Sequence, residues 1–124
     1  MLLVIDTNIG VAALLRGGDT RALVFSENFS LCSPDWLKEE ILAHKEEFMN
    51  KGCMNQEEFA EALDLLLENI TLYPPEEYAR FKDSALKLCP KGHEKDWPFI
   101  ALALKLECQL WTNDKALQKQ TRVK

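Results

Sequence analysis

The sequence predicts an α/β protein, a three-layer α/β/α sandwich around a mostly parallel sheet of four or five strands. Short apolar runs alternate with longer segments of helical pattern, which is the order of elements that a parallel sheet requires. The first run, residues 2–5, is apolar throughout, as in strands that are buried on both faces. With 124 residues, 47% of them hydrophobic, the chain is long enough to form one domain over residues 1–124 with its own core.

Cap and turn residues define the elements of the first half of the chain. Small and apolar residues predict a helix over 9–15, ended by two glycines, and a further short helix over about 20–27. Residues 29–32 have the pattern of a second strand. Ser33 as N-cap and Pro34 at the first helical position predict a long helix that continues to about residue 50.

The second half continues the alternation and ends with the most apolar helix of the chain. Asn55 is placed to cap a helix, and apolar residues cover most of the circumference of the helix over 96–106, which therefore should lie against the sheet. A loop over 89–92 precedes it. The other predicted elements are a third strand over 70–73, a helix over about 75–88, a fourth strand over 109–112, a short helix from about Asp114, and the start of a fifth strand at 122–123.

Charge and cysteine content narrow the class of protein. The net charge of −5 argues mildly against a protein that holds nucleic acid by bulk electrostatics alone, but it does not argue against a nuclease, because bound metal ions neutralise a cluster of active-site carboxylates. The four cysteines form no Cys-x-x-Cys pair and neither histidine completes a zinc motif, which favours free thiols. No apolar run is long enough to span a bilayer, and no basic leader precedes Asp6, so a cytoplasmic protein is expected.

Four acidic residues are candidates for one site. Asp6 and Asp114 follow the first and fourth predicted strands, and ligands of parallel sheets bind beyond the carboxyl ends of the strands. Glu40 lies beside the apolar face of the long helix, and Asp96 lies in the first turn of the most apolar helix. Each has an alternative structural role: Asp6 in a turn, Asp96 and Asp114 at helix starts, Glu40 as a solvated helix acid.

The chemistry of such a cluster points to a divalent cation. Four carboxylates at one edge of a sheet would repel each other, and Mg²⁺ or Mn²⁺, which prefer oxygen ligands, would remove that repulsion. These ions polarise phosphodiesters and lower the pKa of a bound water. The acids therefore indicate metal-assisted phosphodiester hydrolysis.

Four segments together resemble the motifs of the PIN-domain family in order and spacing along nearly the whole chain. They are Leu-Val-Ile-Asp-Thr-Asn at 3–8, Glu-Ile at 40–41, Asp-Trp-Pro-Phe-Ile-Ala-Leu-Ala at 96–103, and Leu-Trp-Thr-Asn-Asp-Lys at 110–115. The resemblance implies a magnesium- or manganese-dependent endoribonuclease. Its catalytic and metal-binding acids would be Asp6, Glu40, Asp96 and Asp114, with Asn8 and Thr112 orienting them.

The compact length is similar to that of VapC-type toxins, which implies an RNA substrate, a possible antitoxin partner and a homodimer. The sequence departs from the pattern of the family at two positions near its end. Ala116 stands where many relatives carry a further acid, and the chain reaches Lys124 where relatives usually complete a fifth strand. Lys115 and Lys95, each beside a predicted ligand, and Arg16 at the end of the first helix are the basic residues predicted to contact RNA.

Three other functions are alternatives to the nuclease. A haloacid-dehalogenase-like phosphatase would need an aspartate two positions after Asp6, where the chain has Asn8. A response-regulator receiver would need an acidic pair before its first helix and a phosphorylatable aspartate on a later strand, and neither pattern is evident. The remaining alternative is a PIN fold that acts as a protein-interaction module with lost or vestigial nuclease activity.

Overall fold

Four strands form one all-parallel sheet in the computed structural model, which describes residues 2–15 and 29–112. The strands lie in the order β3-β2-β1-β4. The predicted α/β fold with a mostly parallel sheet is therefore confirmed. The strands are β1 at Leu2–Ile5, β2 at Ser30–Pro34, β3 at Ile70–Tyr73 and β4 at Gln109–Trp111.

Helices connect the strands and cover both faces of the sheet. Within the described residues none is long and apolar enough to cross a membrane. Short 3-10 turns at Ala79–Phe81 and Glu94–Asp96 precede two of the helices. The helices are α1 at Thr7–Leu15, α2 at Trp36–Ala43, α3 at Lys45–Lys51, α4 at Gln56–Glu68, α5 at Pro75–Tyr78, α6 at Lys82–Leu88 and α7 at Trp97–Leu106.

The core lies on both sides of β1, an inner strand that the first candidate acid, Asp6, directly follows. Val4 and Ile5 are completely buried. Helix α7 packs against β1 and β2 together with α5 and α6, whereas α1 packs with α2, α3 and α4. Gly10 allows the close approach within the second group, because a Cβ there would lie 3.3 Å from Leu37 Cδ1. These two helix groups and the sheet are the three predicted layers.

The prediction that Ser33 caps a helix with Pro34 as its first residue is wrong. Both residues belong to β2, where Ser33 pairs with Leu72 and Pro34 with Tyr73 of β3. Pairing with β3 outweighs the local Ser-Pro preference, and a proline is tolerated because it stands at the end of the strand. Helix α2 begins two residues later, at Trp36.

The long helix predicted to continue to about residue 50 is divided at His44, whose backbone (φ −112°, ψ 25°) leaves the helical range. Two bonds of helical spacing still cross the division, since His44 N donates to Glu40 O (3.3 Å) and Phe48 N to His44 O (3.1 Å). The helix predicted over 75–88 is divided as well, into α5, a 3-10 turn and α6.

Other boundaries follow the prediction closely. Asn55 caps α4 through a reciprocal capping box with Glu58, as its position predicted. The first helix starts at Thr7 rather than at residue 9. The helix predicted over 20–27, the helix from Asp114 and the fifth strand at 122–123 lie outside the described residues.

The order of the strands creates a crevice at one edge of the sheet. From β1 the chain continues to β2 and β3 on one side, whereas β4 pairs with β1 on the other side. The order in which successive strands are added to the sheet therefore reverses at β1, although all strands are parallel. Ligands of parallel sheets bind at such a topological switch point, outside the carboxyl ends of the strands. Asp6 and Thr112 directly follow β1 and β4 at this point.

Candidate active site

Asp6 is a buried carboxylate held from two sides at the crevice. Its residue is only 5% exposed. Oδ1 accepts a hydrogen bond from the backbone N–H of Ile9 at 2.9 Å, so Asp6 caps the start of α1. Oδ2 accepts a hydrogen bond from the hydroxyl of Thr112, which ties the end of β1 to the end of β4. A fixed orientation of this carboxylate follows.

Glu40 enters the same region from α2. Its side chain is half-buried, and Oε1 accepts a hydrogen bond of 2.6 Å from the Thr7 hydroxyl. Thr7 is the first residue of α1 and directly follows Asp6. The two acids, 34 positions apart in the sequence, are therefore connected through one hydroxyl group.

Asp96 lies at the boundary between the Glu94–Asp96 turn and α7. The prediction that it belongs to the first turn of the helix is corrected by one residue, because α7 begins at Trp97. The side chain is 20% exposed, and its Oδ2 lies 3.9 Å from Nδ1 of His93. Burial of the helix that follows, with Phe99 and Ile100 in the core, fixes the position of this acid.

These three acids line one cleft of about 480 Å³, a volume within the usual range for ligand sites. Lysine and histidine side chains lie on its walls together with the carboxylates. The remaining lining residues are Thr7, Asn8, His44, Glu47, Phe48, Lys51, Gly92, His93, Lys95 and Phe99.

The donor set of the cleft fits a hard divalent cation. Carboxylate oxygens from Asp6, Glu40 and Asp96 are the ligand type that Mg²⁺ and Mn²⁺ prefer. Over residues 2–15 and 29–112, however, no three His, Cys, Asp or Glu side chains lie close enough together to hold an ion. The described acids thus share a cleft without meeting at one point, and Asp114, the fourth predicted ligand, lies outside the described residues.

The other predicted site residues have different placements. Thr112 is 4% exposed and contacts Asp6 directly. Asn8 and Lys95 are exposed on the walls of the cleft. Arg16 and Lys115, predicted to contact RNA, lie outside the described residues, as does Ala116.

A row of residues at the division between α2 and α3 and along α3 also faces the cleft: the sequence placed His44 one turn after Glu40, where it could approach the site but was favoured as an exposed helix histidine, and it did not indicate Glu47 and Lys51. His44, Glu47 and Lys51 line the cleft at four, seven and eleven positions after Glu40, and this spacing places side chains on one helical face. Glu47 lies between the other two, 3.7 Å from His44 Nδ1 and 3.3 Å from Lys51 Nζ. The same spacing would have been the sequence signal for Glu47 and Lys51.

The Cys89 thiol near the site is a soft donor, unlike the oxygen ligands that Mg²⁺ and Mn²⁺ prefer. The pKa of Cys89 is raised to about 11, mainly by burial and to a lesser extent by the negative charges of Asp96 and Glu94. The carboxylate of Glu94 accepts hydrogen bonds from its own backbone N–H and from that of Gly92, and these bonds lower the pKa of Glu94.

Comparison with known proteins identifies one family. The family model described as the PIN domain matches residues 4–122 of this chain. The matched range includes all four candidate acids. A comparison with curated proteins gave no match.

Proposed function

Because this chain belongs to the PIN-domain family, whose fold is of a nuclease type, we propose that it is a divalent-metal-dependent endoribonuclease that hydrolyses RNA phosphodiester bonds. The observation that carries the proposal is the shared cleft, which Asp6, Glu40 and Asp96 line from three separate parts of the chain. Carboxylates that share a cleft repel each other, and a bound cation would remove that repulsion.

We assign Asp6, Glu40, Asp96 and Asp114 as the residues that hold Mg²⁺ or Mn²⁺. When bound, the ion would polarise the phosphodiester and lower the pKa of an attacking water. Thr112 and Thr7 hold the carboxylates of Asp6 and Glu40 in fixed orientations through their hydroxyl groups. Preorganised carboxylates need no rearrangement when substrate arrives, which favours catalysis.

The basic residues of the proposed enzyme contact the RNA backbone. Lys95 supports this role because it is exposed on the wall of the cleft, next to Asp96. Lys115 and Arg16 are proposed for the same role from their positions in the sequence. Phosphate contacts of this kind position the strand and do not select its sequence, so transfer, ribosomal and messenger RNA all remain substrates to test.

The biological role that we propose is the toxin of a toxin–antitoxin pair, acting in the cytoplasm as a homodimer. An excess of acidic side chains, with a net charge of −5, would complement a basic antitoxin surface. The cysteines of the described residues are free thiols, which suits a reducing compartment. Analytical ultracentrifugation of the purified protein would test the dimer directly.

A second candidate function is a protein-interaction module on the same fold. Two observations favour it: the described acids do not converge on one point, and Ala116 replaces a residue that is acidic in many relatives. Such a module would bind a protein partner and turn over no RNA. Metal-dependent cleavage discriminates the two functions.

The deciding experiment is cleavage of a mixed pool of labelled RNAs by the purified protein. It would be run with Mn²⁺, with Mg²⁺ and with excess EDTA, and the Asp114→Asn variant would be assayed beside the parent. Cleavage that needs metal and disappears in the variant would support the nuclease and its acidic site together. Folded protein that neither cuts any RNA nor binds Mn²⁺ would favour the interaction module.

A further inference from the structure

One wall of the cleft presents aromatic and basic groups in a row that starts at the acid of α2. His44 lies one helical turn beyond Glu40, and Phe48 lies one turn beyond His44. The backbone bonds from His44 N to Glu40 O and from Phe48 N to His44 O keep these three positions on one face. Lys51 is on the same face and completes the row, which we name the α2–α3 wall: His44, Phe48 and Lys51.

The two rings of the α2–α3 wall differ in exposure. The His44 side chain is 60% exposed, whereas Phe48 is half-buried and packs against the core. Their centroids are 6.1 Å apart with an interplanar angle of 60°, so the edge of one ring faces the other. Phe48 therefore supports the His44 ring from the core side and leaves it accessible from the cleft.

Lys51 provides a positive charge at the far end of the wall. Its Nζ lies 3.3 Å from Glu47, which also lies 3.7 Å from the His44 ring nitrogen. Glu47 thus contacts both residues and limits the directions in which they can point. Both ion-pair partners are more than half exposed, so the pair is weak and Lys51 can exchange Glu47 for a phosphate.

We propose that the α2–α3 wall is a nucleobase subsite, in which an unpaired base of the RNA stacks on His44 and an adjacent phosphate contacts Lys51. This inference rests on the proposed ribonuclease function and assigns a substrate contact within the same cleft. Proteins bind unpaired bases by stacking them on aromatic side chains, histidine included. A base within a duplex has both faces covered, so the subsite selects single-stranded segments beside the acids.

The test is RNA binding without cleavage. The Asp6→Asn protein in EDTA would be titrated into a fluorescent single-stranded oligoribonucleotide and into the same strand annealed to its complement. We expect tighter binding of the single strand. The His44→Ala change should weaken it about 5- to 150-fold, the range for the loss of one stacked base. The His44→Trp change should restore it, since it keeps an aromatic surface.

Matched controls separate stacking and charge from general effects. Asn50→Ala removes an exposed side chain of α3 outside the cleft and should leave binding unchanged. Lys51→Ala should reduce the slope of log affinity against log salt by about one, whereas Lys87→Ala, on exposed α6 surface, should not. His44→Gln, which keeps polarity but removes the ring, should behave as His44→Ala does and replaces it if that variant unfolds.

The outcomes separate this inference from the proposed function. Equal binding of RNA by the Asp6→Asn protein with and without the His44→Ala or His44→Gln change would overturn the subsite. Equal affinity of the Asp6→Asn protein for duplex and single strand would overturn it as well. A wild-type protein that cleaves RNA while the His44 variants bind normally would retain the nuclease and lose the subsite. Ring-dependent binding of the single strand by a protein that never cleaves would retain the subsite and overturn the nuclease.

Discussion

The Thr7 hydroxyl donates a hydrogen bond of 2.6 Å to Oε1 of Glu40, joining the residue after the first acid to the second acid. Thr7 starts α1, and Glu40 belongs to α2. The two helices pack against each other, so the bond fixes the carboxylate relative to the end of β1. A residue next to the acidic motif thereby orients a different acid.

Removal of this hydroxyl should reduce RNA cleavage without unfolding the protein. Thr7→Val keeps the branched shape and deletes the bond, and hydrogen bonds to charged groups contribute about 1.5–3 kcal/mol. We therefore expect the cleavage rate to fall about 10- to 100-fold in single-turnover assays. Thr71→Val, on exposed β3 surface, is the matched control and should cleave normally. A Thr7→Val protein with the parental rate would show that the bond has no role in catalysis.

The Asp6 carboxylate is expected to be essential for activity but replaceable for folding. Asp6→Asn should abolish cleavage, whereas its unfolding free energy should stay within about 1 kcal/mol of the parent, because asparagine is as good an N-cap as aspartate. Asp6→Ala also loses the bond from Ile9 N–H and should be about 0.5–2 kcal/mol less stable. Urea unfolding in metal-free buffer measures the unfolding free energies of both variants. Full activity of Asp6→Asn would eliminate the proposed site.

Ser33 carries a buried hydroxyl for which the described residues offer no hydrogen-bond partner. A buried polar group without a partner costs about 1–3 kcal/mol. Ser33→Ala removes the hydroxyl from the core at little cost in packing and should raise the unfolding free energy by about 1 kcal/mol. Ser84→Ala, at a partly exposed position of α6, should change it little. A destabilised Ser33→Ala protein would indicate that the hydroxyl has a partner.

Glu107 ends α7 in the left-handed conformation, with φ 52° and ψ 45°. Residues with a Cβ are strained there by about 1–2 kcal/mol, whereas glycine is not. Glu107→Gly should therefore stabilise the protein by about 0.5–1 kcal/mol once the greater freedom of glycine in the unfolded chain is subtracted. Glu107→Ala keeps the Cβ and should give no gain. Thermal unfolding of the parent and both variants tests this prediction. A melting temperature of Glu107→Gly equal to that of the parent would contradict it.

Tyr78 makes stability depend on alkaline pH. The pKa of Tyr78 is raised from about 10 to about 12. Burial is the largest cause, and the negative charges of Asp35, Glu39 and Glu76 add to it. The folded state keeps the phenol protonated where the unfolded chain has lost the proton, so its contribution is full below pH 10 and declines as the pH rises towards 12.

The measurement is the unfolding free energy by urea at several pH values between about 10 and 12. Tyr78→Phe cannot ionise and should lose less stability across this window than the parent. Tyr73→Phe, at a partly exposed position of β3, serves as the control and should decline as the parent does. Parallel curves for the parent and Tyr78→Phe would contradict the assignment.

Local patterns predicted some elements well and misjudged others for one reason. The Asn55 helix cap and the strand over 70–73 depend on neighbours in sequence and were found as predicted. Ser33-Pro34 has an equally good local pattern for a helix start, yet pairing with β3 keeps it in a strand. The division at His44 likewise had no local breaker to indicate it.

The sequence by itself determined the fold class and the candidate acids, because alternating apolar runs and strand-end carboxylates are properties of neighbouring residues. It did not determine which side chains share the cleft. The bond from Thr7 to Glu40, the contact of Thr112 with Asp6 and the α2–α3 wall join residues that are distant in the sequence or set at a division in a helix. Only the tertiary structure decided these relationships, since they depend on how the strands order and how the helices pack.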